Sequence, residues 1–259
     1  MTKSVISTLT LLCVAMLFFA AQESDENPAA PGFNAAGSDA RAIEIADQVM
    51  RAMGGRENWD HTRFITWRFF GRRFHVWDKH TGNIRVESGN NVVLMNLHTK
   101  EGRAWDNGAE VAHPDTLAKR LDGGYRSWVN DSYWLLMPYK LKDSGVTLKY
   151  LGEREMQNGE AADVLQLTFE GVGVTPQNKY DVFVSKKTRL VEQWSYFPNA
   201  ADADPRFTGP WQEWQRHGTI MLSAKRGDSG HTDVAVFDEL PASVFESPEP
   251  VNIMSFVHK

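Results

Sequence analysis

A chain of 259 residues with a net charge of −5 and one cysteine is long enough to bury a core that needs no disulfide. Its mildly acidic balance speaks against a general nucleic-acid binder, which carries a basic excess, and Arg72-Arg73 is too short a basic run to alter that. The single cysteine, Cys13, lies in an apolar N-terminal run, so a chain cut after that run has no thiol chemistry.

The chain opens with Met1-Thr2-Lys3, an apolar run from Val5 to Ala21, and the acidic stretch Gln22-Glu23-Ser24-Asp25-Glu26. One positive charge, an apolar middle and small residues at Ala20-Ala21 are the parts of a secretory signal, so residues 1–21 are expected to direct export to the periplasm or cell envelope. Phe18 or Phe19 sits where a small residue is wanted for cleavage. The alternative is therefore an uncut anchor, with membrane contact through this segment, since about 17 to 20 apolar residues span a bilayer. Lipidation of Cys13 is disfavoured because Leu12 before it is not small. Residues 22–37, rich in Ala, Pro, Asn, Gly and acid without periodicity, read as a disordered tether. A single domain is expected over 38–259.

Ser38 is placed to cap a helix in which Ala42, Ile43, Ala46, Val49, Met50 and Met53 recur at helical steps, ended by Gly54-Gly55. From Arg63 the period changes to two. Strand-like runs fall at 63–70, 72–78, 83–88, 92–98 and 103–106, separated by turn chemistry such as Gly89-Asn90-Asn91 and Asn107-Gly108. A second series covers 146–151, 161–169, 179–185, 189–197, 211–222 and 232–237, with Asn158-Gly159 as its clearest hairpin turn. Links this short join antiparallel neighbours. Between the two series lies a helical insert: Pro114 suits a first turn, Leu117 and Leu121 share a side, Gly123-Gly124 is read as a stop, and a second short helix runs from Tyr125 towards Met137 and Pro138. The expected fold is α+β, mainly antiparallel: an unclosed curved sheet or half-barrel with an N-terminal helix and a helical insert across the concave face.

Several strands are apolar on both faces. Ile65, Trp67 and Phe69 oppose Phe64 and Phe70; Val92 and Leu94 oppose Val93, Met95 and Leu97; Leu190, Trp194 and Tyr196 oppose Val191 and Phe197. A one-sided antiparallel sheet would alternate with polar residues, so both faces need an apolar cover, and a bound ligand is one candidate for part of it. The insert carries the densest aromatic cluster, including Tyr125, Trp128, Tyr133, Trp134 and Tyr139. It is either a core plug or a movable cover over an apolar pocket. Strand alternation and the insert place Ile65, Trp67, Phe69, Met95, Trp128, Trp134, Leu136, Met137, Leu165 and Trp194 as the candidate pocket and its cover.

No catalytic or cofactor motif stands out in the sequence. The eight histidines include no zinc helix pair and no His/Cys cluster, and no metal site or cofactor is expected. There is no Gly-x-Ser-x-Gly elbow. Gly171-Val172-Gly173 leads into a strand and meets Pro176 where a dinucleotide loop wants glycine, so it reads as a loop between strands. Asp78, Asp106, Asp143 and Asp181 lie near strand ends, where carboxylates are common. Asn130-Asp131-Ser132 fits the glycosylation pattern, which short sequences match by chance.

Met53-Gly54-Gly55 with Trp59, Met137-Pro138-Tyr139-Lys140-Leu141 before Asp143, and Tyr150-Leu151-Gly152 are familiar in combination. So are Gly171-Val172-Gly173-Val174 before Lys179-Tyr180-Asp181-Val182-Phe183-Val184, and Trp211-Gln212-Glu213-Trp214 ahead of Gly218. Over residues 40–237 the chain resembles bacterial outer-membrane lipoprotein-sorting-like proteins (the LolA/LolB-like superfamily), in a branch apart from the lipoprotein carrier itself. The resemblance implies an unclosed antiparallel barrel with helices across its mouth and an apolar hollow that shields acyl chains. It carries no strict residue motif. Three functions follow as expectations: a non-catalytic binder or carrier of a hydrophobic small molecule or acyl chain; an envelope scaffold whose interior is filled by its own side chains; and a hydrolase in which His75, His98 or His217 meets a carboxylate in a concave site.

Overall fold

In the computed structural model, residues 26–256 are described; the signal or anchor expected at 1–21 lies outside them. Period-two patterning and tight turns place the strands close to where the sequence put them. Helices α1 (Ala40–Ala52) and α2 (Arg56–His61) precede β1 (Phe64–Phe69), β2 (Arg73–Asp78), β3 (Asn83–Ser88), β4 (Asn91–Asn96), β5 (Gly102–Asp106) and the two-residue β6 (Ala109–Glu110). Asn107 and Gly108, with φ of 51° and 81°, make the β5–β6 turn with both central residues left-handed, the geometry that matches strand twist. The insert helix α3 (Pro114–Leu136) and a 3₁₀ turn (Met137–Lys140) lead into β7 (Val146–Glu155), β8 (Ala161–Phe169), β9 (Lys179–Ser185), β10 (Val191–Phe197) and β11 (Phe207–Pro210). Strands β12 (Gln212–His217), β13 (Ile220–Arg226), β14 (Ser229–Gly230) and β15 (Thr232–Phe237) follow, and α4 (Ser243–Glu246) lies near the end.

Every strand pairing is antiparallel. One sheet runs β15-β1-β2-β3-β4-β5-β6, a second β11-β10-β9-β8-β7, and a third β12-β13-β14; they do not close into a barrel. The long sheet turns Ile65, Trp67, Ile84, Val86, Val93 and Met95 inward, where they meet Leu165, Val182 and Trp194 of the second sheet in one core. Helix α1 adds Ala42, Ile45, Ala46, Val49 and Met50 to it; Ile45 takes the inward place expected of Ile43.

Four sequence expectations need correction. The described part of the presumed tether, 26–37, is tied down: Ala30 N–H donates to Lys142 O, Asn34 N–H to Val146 O, and Asn27 to Asp47. Its polar composition hides these backbone pairings with β7 and the loop before it. Asp39 rather than Ser38 stands at the start of α1, its carboxylate accepting from Tyr150 N–H and Lys149 Nζ. Residues 211–222 form the hairpin β12–β13, folded back at Gly218 (φ 60°), not one strand. And α3 is continuous through Gly123-Gly124. Gly124 is there for close approach: a Cβ on it would lie 2.8 Å from Val93 Cγ1, whereas one on Gly123 meets nothing within 4 Å.

The outer face of the long sheet also has its cover within the chain. Phe74 and Val76 pack against Val244 and Ile253, and Phe64 stacks on Phe245 at 6.1 Å. Arg85 points the same way and is fully buried. Its guanidinium donates to the carbonyls of Val244 (3.1 Å), Ser247 (2.6 Å), Pro248 (3.2 Å) and Glu249 (2.6 Å) and to Glu87 at 2.5 Å. The C-terminal segment is thus clamped by one side chain, and the second apolar face of β1–β3 needs no ligand to hide it.

Two substitutions separate helix propensity from packing. Gly123→Ala is expected to raise stability by up to about 1 kcal/mol, because a mid-helix glycine lacks only a methyl. Gly124→Ala is expected to lower it by about 1–2 kcal/mol through overpacking on the stiff Val93. Urea unfolding checks both signs; equal effects would refute the packing account. Arg85→Met leaves four carbonyls without their donor, a loss of about 3 kcal/mol, and limited proteolysis should then cut within 238–256 where the parent chain resists.

Candidate functional site

On β8, Leu165, Leu167 and Phe169 share a face by strand alternation; on β9, Tyr180, Val182 and Val184 do; on β10, Trp194 and Tyr196. The middle members are buried in the core. At one end of the sheet the core runs out, and there Val146, Phe169, Tyr180 and Tyr196 meet the C-terminal half of α3. Between them is a cleft of about 400 Å³, also lined by Trp128, Tyr133 and Trp134 of α3, by Lys140, Asp143 and Ser144, and by the loop 172–175. The floor is a lattice of rings. Tyr133 lies 6.0 Å from Phe169 and 5.3 Å from Tyr180, Tyr180 stacks on Trp194 at 5.3 Å and 7°, and Trp134 meets Trp194 edge-on at 4.7 Å.

The wall formed by α3 is fixed by buried charge. Arg73 grips Asp131 with both ends of its guanidinium, at 2.6 and 2.7 Å, and His75 Nε2 lies 2.7 Å from the same carboxylate. Asp131 and His75 are both fully buried. Although burial pushes the Asp131 carboxyl upward, the hydrogen bonds from Arg73 and His75 prevail and hold it below the usual carboxylate range. With Asp131 ionised, the imidazole proton must sit on Nε2. Burial outweighs the carboxylate for His75 and lowers its pKa, so the ring is neutral, stacked on Trp67 at 4.7 Å. The end of α3 is capped as well: Arg226 (2.5 Å) and His231 (3.2 Å) reach the carbonyl of Trp134. Arg226 is compensated by the Ser223 and Lys225 carbonyls and by the Trp211 ring beneath it at 3.4 Å. Tyr139 Oη, shared between the carbonyls of Met53 (3.0 Å) and Met221 (2.8 Å), pins the following turn.

Of the ten residues placed in the pocket by sequence, Trp128 and Trp134 line this cleft. Ile65, Trp67, Met95, Leu136, Met137, Leu165 and Trp194 are buried in the core. Phe69 is half-buried, edge-on to Trp134 at 6.2 Å. A bulge between Val191 and Gln193 puts Val191 in the core with Trp194, so the two do not oppose each other as the alternation implied. Phe169 and Tyr180 were missed because only register shows that their strand ends meet; Tyr133 was visible within the aromatic cluster. His75, one of the three histidines considered for a hydrolase site, is an anchor of α3 through Asp131. A second cleft, of about 480 Å³, lies between the β7–β8 turn and β12 and is more polar, with Asn158, Glu192, Gln193, Gln212 and Glu213 around Trp211 and Trp214. Among the described residues no cluster of three His, Cys, Asp or Glu side chains could hold a metal, and no helix is long and apolar enough to cross a membrane.

No family model and no curated protein matches the chain. Solved structures that it resembles include a DUF1329 family protein from Desulfovibrio piger (12% identity, 80% of this chain and 97% of that one, TM-score 0.41). They also include a LolA superfamily protein from Nitrosomonas europaea (9%, 79% and 96%, TM-score 0.35) and a protein described as an outer membrane lipoprotein-sorting domain from Vibrio parahaemolyticus (9%, 79% and 96%, TM-score 0.36).

The buried histidines make stability pH-dependent. Burial, helped by the Arg226 charge, holds His231 down to about 3, and His75 is lowered too. Below pH ~6.5 the unfolded chain takes up protons that the folded chain refuses, so stability falls as pH falls, by about 1.4 kcal/mol per pH unit for His231, with a further contribution of the same sign from His75. Asp131, depressed in the fold, adds a loss only below about pH 4. His231→Gln, which keeps a donor for the Trp134 carbonyl, should make the decline between pH 6 and 4.5 shallower by about one proton; an unchanged slope in urea titrations would exclude His231 as its source.

Proposed function

We propose that this chain is an exported, non-catalytic binder of a lipid or lipoprotein acyl chain in the cell envelope, and that it holds the chain in the cleft between α3 and the end of the β7–β10 sheet. The observation that supports this most directly is the aromatic floor of a cleft of about 400 Å³, a size within the roughly 300–1,000 Å³ of small-ligand sites. Burial drives binding. At about 0.8 kcal/mol per methylene, eight to ten methylenes contribute roughly 6–8 kcal/mol before the losses of association, which limits affinity to the micromolar range or weaker.

On this reading α3 is a wall rather than a cover, since its middle and its end are both pinned to buried partners. Entry falls to the loop between β8 and β9. Gly171 (φ 65°) and Gly173 (φ 71°) have open space around them and give that loop the freedom to swing.

A second reading, a partner-binding scaffold, draws on the filled interior: Trp67, Trp194, Trp211, Leu136 and Met137 are almost wholly buried where a hollow was expected. The hydrolase reading asks for a histidine and a carboxylate in a concave site. His75 and Asp131 are within reach of each other, but both are sealed from solvent, which suits an anchor and gives a substrate no route.

Native mass spectrometry of the full chain purified from a bacterial host, with extraction of any adduct, tests the proposal together with uptake of a fluorescent fatty acid. Uptake no tighter than micromolar is expected, reduced at least tenfold by Val174→Trp, which fills the cleft from its half-buried rim. A chain that carries no adduct and takes up no probe is a scaffold instead.

A further inference from the structure

The second cleft, of about 480 Å³, lies between the β7–β8 turn and the starts of β10 and β12, and its chemistry differs from that of the acyl cleft. At its floor Gln193 is only 5% exposed. The side-chain oxygen of Gln193 is fixed by the backbone N–H of Gln157 at 2.7 Å, which settles which end of the amide is free. Its Nε2 has no acceptor among the described residues, yet it is not sealed in as the unpaired indoles of Trp67, Trp77 and Trp211 are. A buried side chain held by one atom therefore offers its N–H groups to whatever enters.

Around it stand acceptors. Glu192 takes the Thr188 hydroxyl at 2.6 Å on one oxygen, and Glu213 lies exposed at the rim; neither has an ion-pair partner among the described residues. None of the described residues lining the cleft is Lys, Arg or His, so an anion would meet only like charge. Trp214 is half-buried in the wall, its indole N–H donated to Val191 O at 2.8 Å, which fixes the ring across the start of β10. An added peptide strand would need an unbroken edge, whereas Glu213, with φ of 55°, drops out of the ladder between Gln212 and Trp214. We infer that this cleft is a site for a neutral carbohydrate. A sugar hydroxyl both donates and accepts, so it can answer the Glu192 and Glu213 carboxylates and the Gln193 amide together, while the C–H face of the ring lies against Trp214.

The full chain is titrated with maltotriose, cellotriose and tri-N-acetylchitotriose, and with trilysine as a cationic rival, by saturation-transfer NMR. At least one trisaccharide is expected to bind saturably, with a dissociation constant of about 0.1–1 mM for so open and polar a cleft. Gln193→Glu keeps the acceptor for Gln157 N–H and removes the donor, and should weaken that binding at least fivefold. Glu213→Ala, on the exposed rim, should weaken it severalfold with an unchanged melting temperature and unchanged uptake of the fluorescent fatty acid. Val174→Trp, which fills the other cleft, should leave sugar binding as it was, so this site and the acyl site stand or fall separately. Absence of binding by all three sugars overturns the inference, as does sugar binding that survives both Gln193→Glu and Glu213→Ala. Binding of trilysine alone, lost in Glu213→Ala, overturns it in favour of an acidic site for a basic peptide.

Discussion

One buried carboxylate sets the geometry of the helical insert. Asp131 has no contact with water, and an ion in that position is tolerable only if its lone pairs are met by donors that cannot drift away. Arg73 and His75 meet them from β2, so the insert helix cannot rotate or slide along the sheet without exposing an unpaired charge to the interior. Two turns from Asp131 towards the N-terminus, Gly124 sits on Val93; one turn towards the C-terminus, the Trp134 carbonyl is held by Arg226 and His231. Three points of attachment along one helix make it part of the wall. The cleft exists where it does because this wall continues past the place where the strand ends stop filling the space beneath it.

Much of the fold was legible because strands and tight turns write local signals. Alternation over 83–88, 161–169, 179–185 and 232–237 coincides with strands of the same bounds, and Asn107, Gly108 and Gly159 mark turns by left-handed conformations that asparagine and glycine adopt more easily than most residues. The misreadings share a cause: they concern residues whose meaning depends on a distant partner. Gly123-Gly124 looks like a helix stop until Val93 is seen against it. Residues 26–37 look like free chain until their amides are followed to Lys142 and Val146. The segment after β15 carried no periodicity, yet it becomes the cover of a sheet face because a buried arginine collects its carbonyls.

The site was far less legible than the fold. Alternation identifies which side chains face inward, but inward-facing residues are the core wherever facing layers meet, and a cleft only where one layer ends. That boundary is set by register. Val146 lies opposite Phe169 and Tyr180 opposite Tyr196, so these side chains gather at one end of the sheet, while Leu165 and Trp194, on the same faces, lie further in. A single-residue bulge in β10 then moves Val191 across the sheet, which no period-two count anticipates. Trp128 and Trp134 were found because an aromatic-rich helix that must cross a sheet will present some rings at its rim.

The filled interior bears directly on what the cleft can hold. Trp194 lies in the core behind Tyr180 of the cleft, stacked on it and held edge-on by Trp134 at 4.7 Å and by Trp211 at 5.4 Å; Arg226 in turn lies on Trp211. Moving Trp194 aside would disturb that whole stack, and close-packed aromatic interiors resist such rearrangement. An occupant therefore cannot extend into the core. It must lie along the strand ends and leave towards the glycine-bearing loop, so a long molecule would have one part seated and the remainder in solvent or against a partner.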